Sequence, residues 1–139
     1  MSRRPASPRG EAGADEPARP VLSSSAKGRA GEEVAASFLE ADGWSIVARN
    51  LRWKGGEIDI IARRGGVIAF TEVKSWDSMG PEELARAIGP DKRRRIVETA
   101  KIFLSRHREY NDWSVRFDVI LVSGGTVVER YPSAFTGDL

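Results

Sequence analysis

The sequence contains no cysteine, which excludes disulfide bonds, thiolate metal sites and a cysteine nucleophile. No apolar run approaches the ~18 residues that a membrane-crossing helix needs, so no bilayer span is expected. The Arg3-Arg4 pair is not followed by an apolar stretch and does not read as a secretion or twin-arginine signal. A cytoplasmic location is therefore the expectation. Aromatic and large aliphatic residues are scarce at one end. Residues 1–25, MSRRPASPRGEAGADEPARPVLSSS, hold four of the seven prolines, no aromatic residue and three large apolar side chains, Met1, Val21 and Leu22. Such a segment buries too little apolar surface to offset the entropy of ordering it. A disordered tail is expected over 1–25 and a single domain over 26–139.

An excess of either charge is also lacking. The tail carries +1, and the rest carries +1 from 18 basic and 17 acidic residues. The charge is clustered instead. Lys92, Arg93, Arg94, Arg95, Lys101, Arg106 and Arg108 crowd one segment; Glu32, Glu33, Glu40 and Asp42 crowd an earlier one. The basic stretch suits a phosphate-bearing partner, and equally a solvated helix face.

What is present is a regular alternation of patterns. From Ala26, apolar residues recur at helical spacing (Ala30, Val34, Phe38, Ala41, with Ala35 and Leu39 as a second stripe) until Gly43 supplies a C-terminal cap. Strands are expected over 44–53, 57–64 and 67–74, with Gly55-Gly56 and Gly65-Gly66 as their turns. A short helix over 81–88 and a longer one over about 90–108 follow, the latter with Ile96, Val97, Ala100, Phe103 and Leu104 on one face. Strands over 114–122 and 126–131, joined at Gly124-Gly125, complete an α-β-β-β-α-β-β order: an α/β fold with a mixed central sheet flanked by helices. The single histidine, His107, falls near the apolar side of the long helix and reads as a core-edge residue, while Trp44 and Trp53 read as core or rim packing.

One stretch breaks its own pattern. IAFTEVKSW, residues 68–76, begins as an apolar strand and then places Glu72 and Lys74 on one side of it. Charges in an apolar strand are costly unless paired, solvated or bound to a metal. Pairing the second and third strands about Gly65-Gly66 sets Asp59 beside Glu72, since strand parity puts Glu57, Asp59 and Ile61 on one side and Ile58, Ile60 and Ala62 on the other. Two carboxylates with water and substrate oxygens make an open site for Mg²⁺ or Mn²⁺, and a lysine beside them can orient or deprotonate a water or stabilise a phosphoryl transition state. The structural alternative is a plain ion pair across the sheet.

An acid, roughly a dozen residues, then E-x-K after a strand resembles the active-site pattern of the restriction-endonuclease-like nucleases, the PD-(D/E)xK superfamily. More closely, GRAGEEVAASFLEADGWSIVARN, GGEIDIIAR, AFTEVK and RFDVILV resemble successive motifs of the YraN family of endonuclease-like proteins, over about residues 28–136. The resemblance implies an αβββαβ core and a catalytic set of Asp59, Glu72, Lys74 and Glu32, with Asp59, Glu72 and Glu57 holding Mg²⁺ or Mn²⁺. Lys92 matches a lysine that follows the E-x-K strand, and with Arg93, Arg94 and Arg95 it is a candidate phosphate contact. Asp118, in RFDV, is expected to be structural with Arg116. Trp76 stands where the family often has an arginine. The expected function is metal-dependent phosphodiester hydrolysis in nucleic acid, DNA first. The alternative is a nucleic-acid-binding module that retains the fold without cutting. A homodimer would supply two sites for cutting two strands, although no motif fixes it.

Overall fold

The computed structural model describes residues 24–75 and 88–137. Most of the expected tail, residues 1–23, lies outside the described residues, as do Trp76 and residues 81–87 of the expected short helix. The elements are α1 (Ser24–Ala41), β1 (Ser45–Trp53), β2 (Gly56–Arg64), β3 (Val67–Ser75), α2 (Pro90–Arg106), β4 (Ser114–Ser123) and β5 (Thr126–Phe135), with a 3-10 turn at Arg108–Tyr110. The strands form one five-stranded sheet in the order β1-β2-β3-β4-β5. The β3–β4 pair is parallel and the others antiparallel. The mixed α/β architecture is thus as expected.

Alternating strand residues divide between two cores. Ile61, Ile68, Phe70, Phe117, Val119 and Leu121 pack with Ile96, Val97, Ala100 and Phe103 of α2. Ala62, Ala69, Ile120 and Val122 pack with Ala35, Ala36 and Leu39 of α1. The helices therefore cover opposite faces of the sheet. The alternation fails at one place. Ile58 joins the α2 core but Ile60 joins the α1 core, so the expected grouping of Ile58 with Ile60 and Ala62 is corrected: β2 changes its facing at Asp59. Across the strand pair, Arg49 and Leu51 pair with Ile60 and Ile58, which sets Asn50 opposite Asp59. Asn50 has φ 54, a left-handed conformation that interrupts regular pairing in that row.

Local chemistry accounts for the ends of the elements. Gly43, at φ 89, closes α1: its amide donates to the Glu40 carbonyl and that of Trp44 to the Leu39 carbonyl, the two bonds of a Schellman motif. The first hairpin turns at Lys54-Gly55 (φ 41 and 85), not at the expected Gly55-Gly56. Gly56 is instead a strand residue pressed against α2, where a Cβ would lie 3.0 Å from the Arg95 carbonyl oxygen and still nearer Thr99 Oγ1. The long helix ends at Arg106 rather than near 108, because His107 leaves helical geometry (φ −132, ψ 70). Its Nδ1–H donates to the Phe103 carbonyl at 2.8 Å and its ring stacks on Phe103.

The last strand runs past the expected residue 131 to Phe135, crossing Pro132 and Ser133, the latter at φ 53. Fully buried Asp118 anchors this extension. It accepts hydrogen bonds from Arg116 Nε and Nη2 (3.2 and 2.7 Å), Arg130 Nη2 (3.3 Å) and the Ser133 amide (2.9 Å). The expected Arg116 contact is present. Both outer strands are irregular: β1 shifts register between Ile46 and Ala48 and carries Asn50, while β5 carries the Pro132-Ser133 kink.

The Gly56 contact gives a stability test. Gly56→Ala should cost about 1–3 kcal/mol, the range for overpacking a tight contact. Adding Thr99→Ala should restore only part of the loss, since the Arg95 carbonyl cannot move aside. Urea melts of both variants check this; an unchanged midpoint for Gly56→Ala would mean the hairpin does not rest on α2.

Candidate functional site

The β2–β3 ladder runs from Arg64↔Val67 as far as Ile60↔Thr71 and stops there. Beyond that row the strands part. In place of a further ladder bond, Asp59 Oδ2 accepts the Val73 amide at 2.8 Å. The site is built in and around this gap.

Each side of the sheet sends a residue to it. On the α1 side, Gly31 lets the helix sit close to the strands: a Cβ there would lie 3.0 Å from Val122 Cγ2 and 3.8 Å from Val73 Cγ1. That approach brings the next residue, Glu32, to Asp59. One carboxylate oxygen from each of Glu32, Glu57 and Asp59 lies within 4.8 Å of the others. On the α2 side, Lys92 Nζ stands 3.4 Å from Glu72 Oε2, and Lys74 Nζ stands 3.2 Å from the same oxygen. Glu32, Asp59 and Glu72 are 7%, 6% and 4% exposed. Among the described residues, Glu32 Oε1 and Glu72 Oε1 are buried without a hydrogen-bond partner.

Crowding leaves its mark on ionisation. Burial raises the Glu72 carboxyl to about 7, helped by the Asp59 charge and opposed by Lys92 and Lys74. Burial likewise raises Asp59 to about 6, opposed by the Val73 amide and the hydrogen bond with Glu72, with Glu32 and Glu57 adding repulsion. The ion pair weighed from the sequence is therefore real, but two lysines do not satisfy the carboxylates around them.

The structure brings together Asp59, Glu72, Lys74, Glu32 and Glu57. Within the set, the close trio of acids is Glu32, Glu57 and Asp59, while Glu72 is drawn toward the lysines. Lys92, grouped from the sequence with the arginines as a phosphate contact, belongs to this cluster. The four basic residues do not share a face, because consecutive helical positions point ~100° apart. Arg93 Nε donates to the Ile88 carbonyl at 2.8 Å, with its guanidinium over the Phe135 ring. Arg94 pairs with Asp91 at 3.0 Å, and Arg95 is exposed. Sequence spacing gave no warning of Lys92's place, since it depends on how α2 crosses the sheet.

Fold and site define a mixed α/β protein with a buried carboxylate–lysine cluster at a break in its sheet. The chain belongs to the family described as Uncharacterised protein family UPF0102, whose pattern matches residues 31–122. It is 45% identical to the UPF0102 protein of Granulibacter bethesdensis over 107 residues, 77% of this chain and 66% of that protein's own length. It is 39% identical to a UPF0102 protein of Rhodopseudomonas palustris over 108 residues, 78% of this chain and 82% of the other. A UPF0102 protein of Treponema pallidum is 46% identical over 95 residues, 68% and 75% of the two chains. The family description assigns no chemistry, so activity has to be argued from the site.

The raised carboxyls fix the sign of a pH effect in the metal-free chain. Unfolded, these groups ionise near 3.8 and 4.5; folded, near 6 and 7. Between those values the folded state binds more protons than the unfolded state, so these groups make stability rise as pH falls through the interval. Urea melts at about pH 8 and about pH 5 should show this rise in wild type and lose most of it in Asp59→Asn/Glu72→Gln. Equal pH dependence in both proteins would refute the assignment.

Proposed function

We propose that this chain is a metal-dependent nuclease of the restriction-endonuclease-like, PD-(D/E)xK class, hydrolysing phosphodiester bonds in nucleic acid, with DNA as the first substrate to try. One observation carries the reading: buried carboxylate oxygens of Glu32 and Glu72, near Asp59, lack partners among the described residues, within a cluster that a divalent cation would complete. Buried polar atoms are rarely left unpaired, and acids crowded together without enough cations favour a hard metal ion.

In this reading Glu32, Glu57 and Asp59 would hold Mg²⁺ or Mn²⁺, with Glu72 available beside them. When bound, the ion polarises a phosphate and lowers the pKa of a coordinated water. The protein's residues do the rest. The Val73 amide fixes the Asp59 carboxylate in place. Lys74, its ammonium held beside Glu72, orients the attacking water and stabilises the negative charge on its oxygen as the proton leaves to solvent. Lys92 places a second positive charge where the phosphate's charge increases in the transition state. Arg95, exposed on α2, adds sequence-independent attraction to the phosphate backbone.

Asp59→Asn separates this reading from a structural ion pair. Asparagine keeps an acceptor for the Val73 amide but removes one charge from a crowded cluster. Its metal-free melting temperature should equal or slightly exceed that of wild type. Millimolar Mn²⁺ should raise the wild-type melting temperature by several degrees and leave the variant unmoved, as binding to the folded state alone requires. Cleavage of nicked, branched or duplex DNA should fall at least ~100-fold in the variant. A wild type that Mn²⁺ stabilises but that cuts none of these substrates would favour a binding module with the nuclease fold. A wild type indifferent to Mn²⁺, with a variant that melts well below it, would remove the metal reading altogether.

A further inference from the structure

The β1–β2 turn rests on α2 through Gly56, and this brings two residues far apart in sequence into a stack. The guanidinium carbon of Arg106, the last residue of α2, lies 4.2 Å from the centre of the Trp53 ring. Trp53 also lines an open groove of about 340 Å³ that runs from Arg52 to Glu57 along the turn. Arg52 and Lys54 are exposed, and Glu57, which also lines the groove, belongs to the carboxylate cluster. The groove at the hairpin end and the cluster therefore share Glu57. Among the described residues, Arg52 is held toward Glu57 only by a 3.5 Å contact between exposed groups, which an incoming phosphate can displace.

A tryptophan clamped on one face by an arginine is a rigid platform. Flanking cations and an adjacent hydrolytic cluster suit it to a nucleotide. Stacking on a side chain requires a base with a free π-face, which a paired base inside a duplex does not offer. We infer that this groove binds an unpaired nucleotide of the substrate strand, with its base stacked on Trp53, its phosphate against Arg52 and Lys54, and the neighbouring phosphodiester at the carboxylates. The inference rests on the nuclease reading and narrows it to substrates with single-stranded character beside the cut. Glu57, which lines the groove, repels a phosphate until a cation is bound there, so affinity should increase with a divalent ion that does not support cleavage.

The test is fluorescence anisotropy of a labelled oligo(dT), and of a blunt duplex of equal length, with the full chain, first in EDTA and then in Ca²⁺. Wild type should prefer the single strand, and more tightly in Ca²⁺. Trp53→Leu keeps apolar bulk but loses the aromatic face, and should weaken single-strand binding about tenfold while leaving duplex binding unchanged. Trp53→Phe should stay within about twofold of wild type, since it retains a ring. Oligo(U) binding as tightly as oligo(dT) would support the same stack, which reads the base's face and not the sugar. Undiminished binding by Trp53→Leu overturns the inference. So does equal loss on the duplex, or a wild type with no single-strand preference. Folding of Trp53→Leu is checked by its urea melt, which should remain a single cooperative transition. If the chain cuts nothing and ignores Mn²⁺ but still shows the Trp53-dependent preference, the nuclease reading fails and the nucleotide groove survives. The reverse result rejects the groove alone.

Discussion

The separation of β2 from β3 beyond Ile60↔Thr71 is the constraint on which the candidate site depends. A closed ladder would wall the α1 face off from the α2 face, and side chains from the two helices could not reach the same opening. Because Asp59 takes the Val73 amide in place of a strand neighbour, the ladder ends without stranding that donor. Glu32 reaches the opening from one layer and Lys92 from the other. The left-handed turn at Asn50 lies in the same row, so strain in β1 coincides with the change of facing in β2. Backbone in sparsely populated conformations tends to persist where surrounding structure holds it for function.

Two buried aspartates in this chain show what that opening costs. Asp118, fully enclosed, has four donors around its two oxygens and two arginines to balance its charge. Asp59 has one backbone donor, sits among Glu32, Glu57 and Glu72, and holds its proton to about pH 6. The first arrangement suits a fastener between β4 and β5. The second leaves electrostatic demand unmet, the pattern that clusters at functional sites. Trp44 belongs to the fastened side: Arg64, Arg116 and Arg130 pack around its ring with guanidinium carbons 4.7, 5.1 and 5.4 Å from its centre.

Much of this was legible in the chain because local signals agreed with the global fold. Glycine pairs marked the hairpins, helical spacing marked α1 and α2, and the hairpin about Gly65-Gly66 set Asp59 beside Glu72. The first turn was displaced by one residue because Gly56, which looks like a turn glycine, is required for close approach to α2. Parity failed at Ile58 because a strand that changes facing leaves no mark in an apolar alternation. Glu32 was joined to Asp59 by the family resemblance and not by spacing, while Lys92 on Glu72 and Arg106 on Trp53 were hidden, and all three share a reason. Each joins segments separated by at least 18 positions, and their meeting depends on how a helix crosses the sheet.

The kinks in β1 and β5 bear on how two copies could meet. An outer strand with regular, unsatisfied amides is a template for extending a sheet into a neighbouring molecule. Here one outer strand is broken by a register shift near Val47 and by Asn50, and the other by Pro132 and Ser133, so neither offers a long run of aligned donors and acceptors. Continuous β-augmentation between copies is thereby disfavoured at both margins. An assembly that set two such clusters against opposite strands of a duplex would dock through helices or turns, leaving the sheet of each copy to end on itself.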